Sequence, residues 1–223
     1  MSKMKRALLL CGIAVATVLA LCVTTACLGN LFEEAGVVMG PLIMLAAVPM
    51  HMLGKRWPAL YAVGMVENLF GTTFAIAAYY AHIETSPSLA ELVIAAIIPL
   101  LFLTFFMVSI RLLSRHVTVV CYTGLGIWFL LGIAYVIGWI FCGGVFYSFG
   151  FFAMSIVFVY AVAVLYFLHK EEPHVLRYAS FAGFGCVALV ALVVISILIE
   201  DDAVSAFWPD WELPSFGKKK GKK

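Results

Sequence analysis

Seven long apolar runs follow one another along the chain, separated by short stretches that carry charges, glycines or prolines. They cover residues 7–28, 35–53, 59–82, 92–113, 117–141, 145–168 and 178–199. Each comes close to the roughly 20 mainly apolar residues that a helix needs to cross the hydrocarbon of a bilayer. The clearest divider is Gly54-Lys55-Arg56-Trp57-Pro58, with Pro58 placed to open the next helix. The weakest is Cys142-Gly143-Gly144. The 52 residues from Val117 to Leu168 are too long for one span, so the pattern predicts a tight hairpin there. The expected fold is all-α: a polytopic transmembrane bundle of about seven helices over residues 1–199. Residues 200–223 follow as an extracytoplasmic interfacial segment and a Lys-rich tail.

Composition agrees with that pattern. Of the 223 residues, 65% are hydrophobic and only 12% charged, with a mean hydropathy of +1.10. Soluble domains usually carry about a quarter charged residues, and a chain this small has no interior large enough to hide so much apolar surface. A lipid solvent removes the conflict. Cys11, Cys22, Cys121 and Cys186 fall inside apolar runs, where cysteine behaves as a small hydrophobe. Cys27 and Cys142 both lie near outer helix ends and are the one pair open to bonding.

Charge placement adds an orientation. With the amino terminus in the cytoplasm, Lys3, Lys5, Arg6, Lys55, Arg56, Arg111, Arg115, Lys170 and Arg177 all fall on the inner side. The opposite loops between spans carry no basic residue and hold Glu33, Glu34, Glu84 and Glu91 instead. Cytoplasmic loops collect Lys and Arg, so nine against none predicts a cell-membrane protein with its amino terminus inside. The terminal lysines, Lys218 to Lys223, disagree, because the last helix should exit outward. They stand about 18 residues beyond it, near the limit at which charge still acts on topology. The nearer cations are therefore decisive.

Two segments admit a second reading. Met1 to Arg6, the apolar stretch and Thr24-Thr25-Ala26-Cys27 also resemble a signal peptide, whose removal would leave six spans. The stretch is longer than usual for one, and Thr24 stands where a lipoprotein signal wants an aliphatic residue. Beyond the last span, Phe207 to Pro214 is too short and too charged to cross. Its two tryptophans suit the outer interface. Trp57, Tyr61, Tyr166 and Tyr178 are expected at the inner headgroup layer and Tyr79, Tyr80, Trp139 and Tyr147 at the outer one.

Chemistry has few places to reside. Glu67 is the one acidic residue inside a predicted span. At that depth an ionised carboxylate costs about 2.5 to 3.5 kcal/mol on insertion scales. It should therefore be protonated, paired or in contact with water. Gly64, Glu67, Gly71, Ala75 and Ala78 recur at intervals of three or four and share a stripe of small residues, which places Glu67 against the bundle. Asn68, Thr72 and Thr73 add polar groups beside it. The candidate buried polar site is Glu67, Asn68 and Thr72, either a carboxyl in a substrate path or a structural hydrogen-bonding group. Gly64, Gly71, Gly124 and Gly183 are the expected helix-packing positions, with Gly126, Gly132, Gly138 and Gly185 as further candidates. Tyr122, Tyr135 and Tyr160 are candidates to line an interior. Pro41, Pro49 and Pro99 should kink their helices and free carbonyls toward a cavity.

The remaining signals exclude more than they suggest. His51, His82, His116, His169 and His174 all lie at span boundaries, which suits polar anchors; no metal site and no cofactor is expected. No His-Glu-x-x-His, Gly-x-Ser-x-Gly, Walker loop or dinucleotide fingerprint occurs. Val38 occupies the position where a Glu-Glu-x-x-x-Arg protease motif beginning at Glu33 needs arginine. The seventh run contains no lysine for a retinal Schiff base. The chain is therefore not expected to be an enzyme or to bind nucleic acid. Its expected partners are the lipid bilayer and either a small-molecule or ion substrate or another membrane protein. Two roles fit: a small transporter or permease-like component, or a non-catalytic subunit, anchor or sensor acting through helix contacts.

Overall fold

A computed structural model describes residues 3–28, 35–112, 116–169, 175–180 and 182–183. Every element among them is a helix: α1 (Lys3–Leu28), α2 (Ala35–Leu53), α3 (Ala59–His82), α4 (Leu89–Leu112), α5 (Val117–Cys142) and α6 (Val145–His169). Residues 175–180 and 182–183 are helical and begin a seventh, α7. Five helices (α1, α3, α4, α5 and α6) are long and apolar enough to cross a bilayer, and α2 is apolar over Val38–Leu53. The protein is an α-helical membrane protein. Glu33, Glu34, Arg115, Lys170, His174, Gly185 and everything from residue 184 onward, including the interfacial tryptophans and the lysine tail, lie outside the described residues.

Helix limits follow the apolar runs except where local chemistry extends them. α4 starts at Leu89, three residues before its apolar run, because Ser88 and Glu91 form a reciprocal cap. The Ser88 amide and hydroxyl both donate to Glu91 Oε2 at 2.8 Å, and the Glu91 amide donates back to Ser88 Oγ at 3.3 Å. α1 extends back to Lys3, since Lys and Arg are good helix formers and need not end a helix where it leaves lipid. The predicted hairpin between α5 and α6 is present. Gly143 and Gly144 take φ of 64° and 86°, a region open to glycine at little cost, and the Gly143 amide closes α5 on Trp139 O at 3.1 Å.

α1 is the central helix, packed on α3, α4 and α6. Ala7, Leu10, Ala14, Val18 and Leu21, spaced by three or four, are fully buried along it. Removing this segment as a signal peptide would take out the helix around which three others pack. α2 packs on α3, and α5 lies at the edge, against α6 and the flank of α4. Leu101, Phe105, Phe129, Leu130 and Phe141 face outward, as a lipid-facing surface requires.

The α2–α3 contact is a close backbone approach. A Cβ on Gly36 would stand 2.7 Å from Phe74 O, and one on Gly40 would stand 2.9 Å from Gly71 O. One on Gly71 would strike the Met44 side chain. Gly36-x-x-x-Gly40 facing Gly71, Ala75 and Ala78 is a small-residue seam that lets two helices meet where larger residues would hold them apart.

One expectation is corrected. Tyr61 and Tyr178 are buried instead of facing headgroups, and so are Tyr79 and Tyr80. The last two join an aromatic cluster with Trp139 and Phe152, in which Trp139 Nε1 donates to Tyr79 OH at 2.8 Å and Tyr80 OH pairs with Ser148 Oγ at 2.9 Å. A tyrosine buried at a helix end finds its polar partner on a neighbouring helix instead of in the interface. Cys27 and Cys142 are both exposed and unbonded. Trp57 is exposed at the end of the α2–α3 turn, with the Arg56 guanidinium 5.3 Å from its ring centroid.

Candidate functional site

The register of α3 decides which polar side chain enters the bundle. Gly64, Gly71, Ala75 and Ala78 are buried as their spacing predicts. Glu67 lies at the edge of that stripe and is only half-buried, although its Oε2 is shielded and has no hydrogen-bond partner. The next residue, rotated by about 100°, is the one turned fully inward. Asn68 is 3% exposed, and neither its Oδ1 nor its Nδ2 has a hydrogen-bond partner.

Asn68 borders a cavity of about 20 Å³ between four helices, lined by Thr17 and Leu21 of α1, Met65, Asn68, Leu69 and Thr72 of α3, Ile156 and Tyr160 of α6, and Ala179 and Gly183 of α7. Thr17, Asn68 and Tyr160 stand two or three residues from the middles of their helices, within roughly 5 Å of the midplane at 1.5 Å per residue. Thr17 Oγ1 donates to Ile13 O at 2.9 Å and lies 3.2 Å from Tyr160 OH, so the phenol is the donor in that second pair. Thr72 Oγ1 donates to Asn68 O at 2.8 Å. A second hydroxyl pair, Thr24 with Thr73 at 2.8 Å, ties α1 to α3 one to two turns further along.

Gly183 makes room for the amide. A Cβ there would stand 2.5 Å from Asn68 Nδ2 and 2.9 Å from its carboxamide carbon. Of the predicted residues, Asn68, Thr72 and Gly183 are therefore brought together, and Glu67 is left off the cavity wall. Gly71 serves the seam with α2, Gly64 lies between α2 and Ser180 of α7, and a Cβ on Gly124 would press on the Phe106 ring of α4. Gly138 abuts Tyr147, whereas Gly126 and Gly132 have nothing within 4 Å of a would-be Cβ and mark no packing face. Tyr135 and Tyr160 are interior, but Tyr122 is 73% exposed.

The prolines do not shape the cavity, because neither α2 nor α4 contributes to its wall. Thr17 is the contributor that the sequence reading passed over. A threonine at the centre of an otherwise apolar run was the available signal. His51, at the end of α2, is 3.1 Å from Ser180 Oγ of α7 and stacks edge-on to Tyr61. Among the described residues no three His, Cys, Asp or Glu side chains converge as a metal would need.

What the site offers is uncharged hydrogen bonding at the centre of a membrane: one carboxamide, two threonine hydroxyls and a phenol, drawn from three helices. No protein-family model, curated protein or solved structure matches the chain.

Proposed function

We propose that this protein is a small permease-like membrane component whose solute path runs through the Asn68 cavity. One observation carries the reading: polar side chains of α1, α3 and α6 meet at mid-bilayer depth around an amide with both polar ends unpartnered. Transporters place substrate sites near the midplane, where groups from several helices converge. Leaving an amide without partners costs about 1–3 kcal/mol, which a purely structural bundle would avoid by using leucine there. The path involves Asn68 and not Glu67. Because the cavity is small, passage of anything larger than its own volume needs the helices to part.

Reconstitution into liposomes tests this. Stopped-flow light scattering after osmotic steps of sucrose, glycerol and urea reports water, glycerol and urea permeation in turn. At least one should run several-fold faster than in protein-free vesicles, and Asn68→Leu should remove the gain. If none is accelerated, the permease reading fails. The second reading, a module that acts through a partner helix, rests on α5. Only 11% of its apolar window is buried, against 39–56% in the other four long helices, which leaves a broad apolar face.

A further inference from the structure

We infer that the Asn68 cavity is a binding site for a single uncharged, water-sized guest that both donates and accepts hydrogen bonds. The inference rests on the permease reading of this site and narrows it to a substrate class.

Size comes first. The cavity volume of about 20 Å³ has room for roughly one water and excludes even a small organic solute. Charge comes second. Among the described residues, none of the ten that line it is a Lys, Arg, His, Asp or Glu, and the nearest acid in sequence, Glu67, is not on the wall. An ion entering would surrender its hydration shell for a few neutral oxygens, with no counter-charge on the wall.

Hydrogen-bond capacity comes third. The hydroxyl protons of Thr17 and Thr72 go to backbone carbonyls of their own helices, so these side chains present oxygen lone pairs to the cavity. The Tyr160 proton goes to Thr17. Asn68 supplies what is missing, with two N–H donors and a carbonyl acceptor, all three without a protein partner. A guest that satisfies this wall must accept from the Nδ2 protons and donate to Oδ1 or to the threonine oxygens. Water does both.

Gly183 keeps that volume open. The Cβ of an alanine would lie 2.5 Å from Asn68 Nδ2, so the amide could not keep the position in which it faces the guest. The glycine and the amide form one device.

The chain's composition provides a direct probe. It contains two asparagines, Asn30 and Asn68, and no glutamine. Protein labelled with ¹⁵N-asparagine therefore gives two side-chain amide signals, and Asn68→Leu identifies which is which. In lipid bilayers, water-edited solid-state NMR should show magnetisation passing from water to the Asn68 amide in the wild type. The transfer should be lost in Gly183→Ala while the Asn30 signal is unchanged. A wild-type Asn68 amide that receives none, beside an Asn30 signal that does, overturns the inference. So does an Asn68 signal that shifts on adding sodium or potassium chloride.

The two readings fail separately. A hydrated Asn68 in a protein that accelerates no osmotic flux keeps the site and sinks the permease. A dry Asn68 in vesicles that pass glycerol or urea does the reverse.

Discussion

A hydroxyl buried in a bilayer has few places to put its proton, and this chain answers with side chains on neighbouring helices. Tyr80 of α3 is 1% exposed, and its hydroxyl lies 2.9 Å from Ser148 Oγ of α6. Ser148 donates its own proton to Gly144 O at 3.1 Å, so the phenol is the donor and the serine stays satisfied if the tyrosine is lost. Tyr80→Phe should therefore cost only about 0.6 kcal/mol, the mean worth of an interhelical hydrogen bond in a membrane. Thermal unfolding in detergent would read it as a shift of a few degrees at most; a collapse of the fold would mean that the phenol holds more than this one partner. The same accounting explains what was legible at Asn68. A polar patch on α3 is visible in the sequence, because Glu67, Asn68, Thr72 and Thr73 interrupt an apolar run. Which member points inward is a matter of one residue, about 100° of rotation. Small-residue spacing chose Glu67, since it falls between Gly64 and Gly71. Gly71 turned out to face α2, and Gly64 to face α2 and Ser180 of α7, while the cavity with α1, α6 and α7 lies a step further round. The sequence of one helix does not say which neighbour covers which side.

At the scale of elements, glycine spacing shows the same limit. Gly36, Gly40 and Gly71 sit in a seam where backbones nearly touch, and Gly126 sits in open space, yet all four are glycines inside apolar runs. The difference lies in the partner helix. A leucine at Gly40 must push α2 away from Gly71 O, which already stands 2.9 Å from the place of its Cβ. Overpacking of this kind costs typically 1–3 kcal/mol and more where backbone must move. Gly126→Leu meets nothing and gains helix propensity, so its effect should stay within about 0.5 kcal/mol. Tryptophan-fluorescence melts of the two variants should diverge clearly, with Gly40→Leu the lower. Equal melts would mean that the α2–α3 seam contributes little to stability. Element ends were more readable than element faces. The Gly143-Gly144 hairpin was read from the sequence, and the Ser88-x-x-Glu91 cap, which the apolar run alone misses by three residues, is equally local chemistry written within a few residues. The seam, the aromatic cluster of Tyr79 and Trp139, and the cavity wall all need residues tens of positions apart.

For the whole molecule, the contacts sort the helix ends into two groups. Thr24 meets Thr73, Tyr79 meets Trp139 and Tyr80 meets Ser148, so the ends of α1, α3 and α5 and the start of α6 share one side. His51 meets Ser180 at the other, which joins the end of α2 to the start of α7. Every described Lys and Arg (Lys3, Lys5, Arg6, Lys55, Arg56, Arg111 and Arg177) belongs to that second side, and Glu84 and Glu91 to the first. The geometry thus upholds the segregation of charge that the sequence displays. The positive-inside tendency turns it into a prediction that the basic side is cytoplasmic. Two native thiols can report on this. Cys27 and Cys142 end α1 and α5, both exposed, while Cys11 and Cys22 are buried. A membrane-impermeant maleimide added to intact cells should label the protein, and the double variant Cys27→Ser, Cys142→Ser should lose that signal. A cysteine placed at Lys55 in the double variant should label only after the membrane is permeabilised. The opposite pattern would turn the bundle over and discard the charge argument. It would leave Asn68 where it is, because a site at the midplane stays at the midplane when the two faces are exchanged.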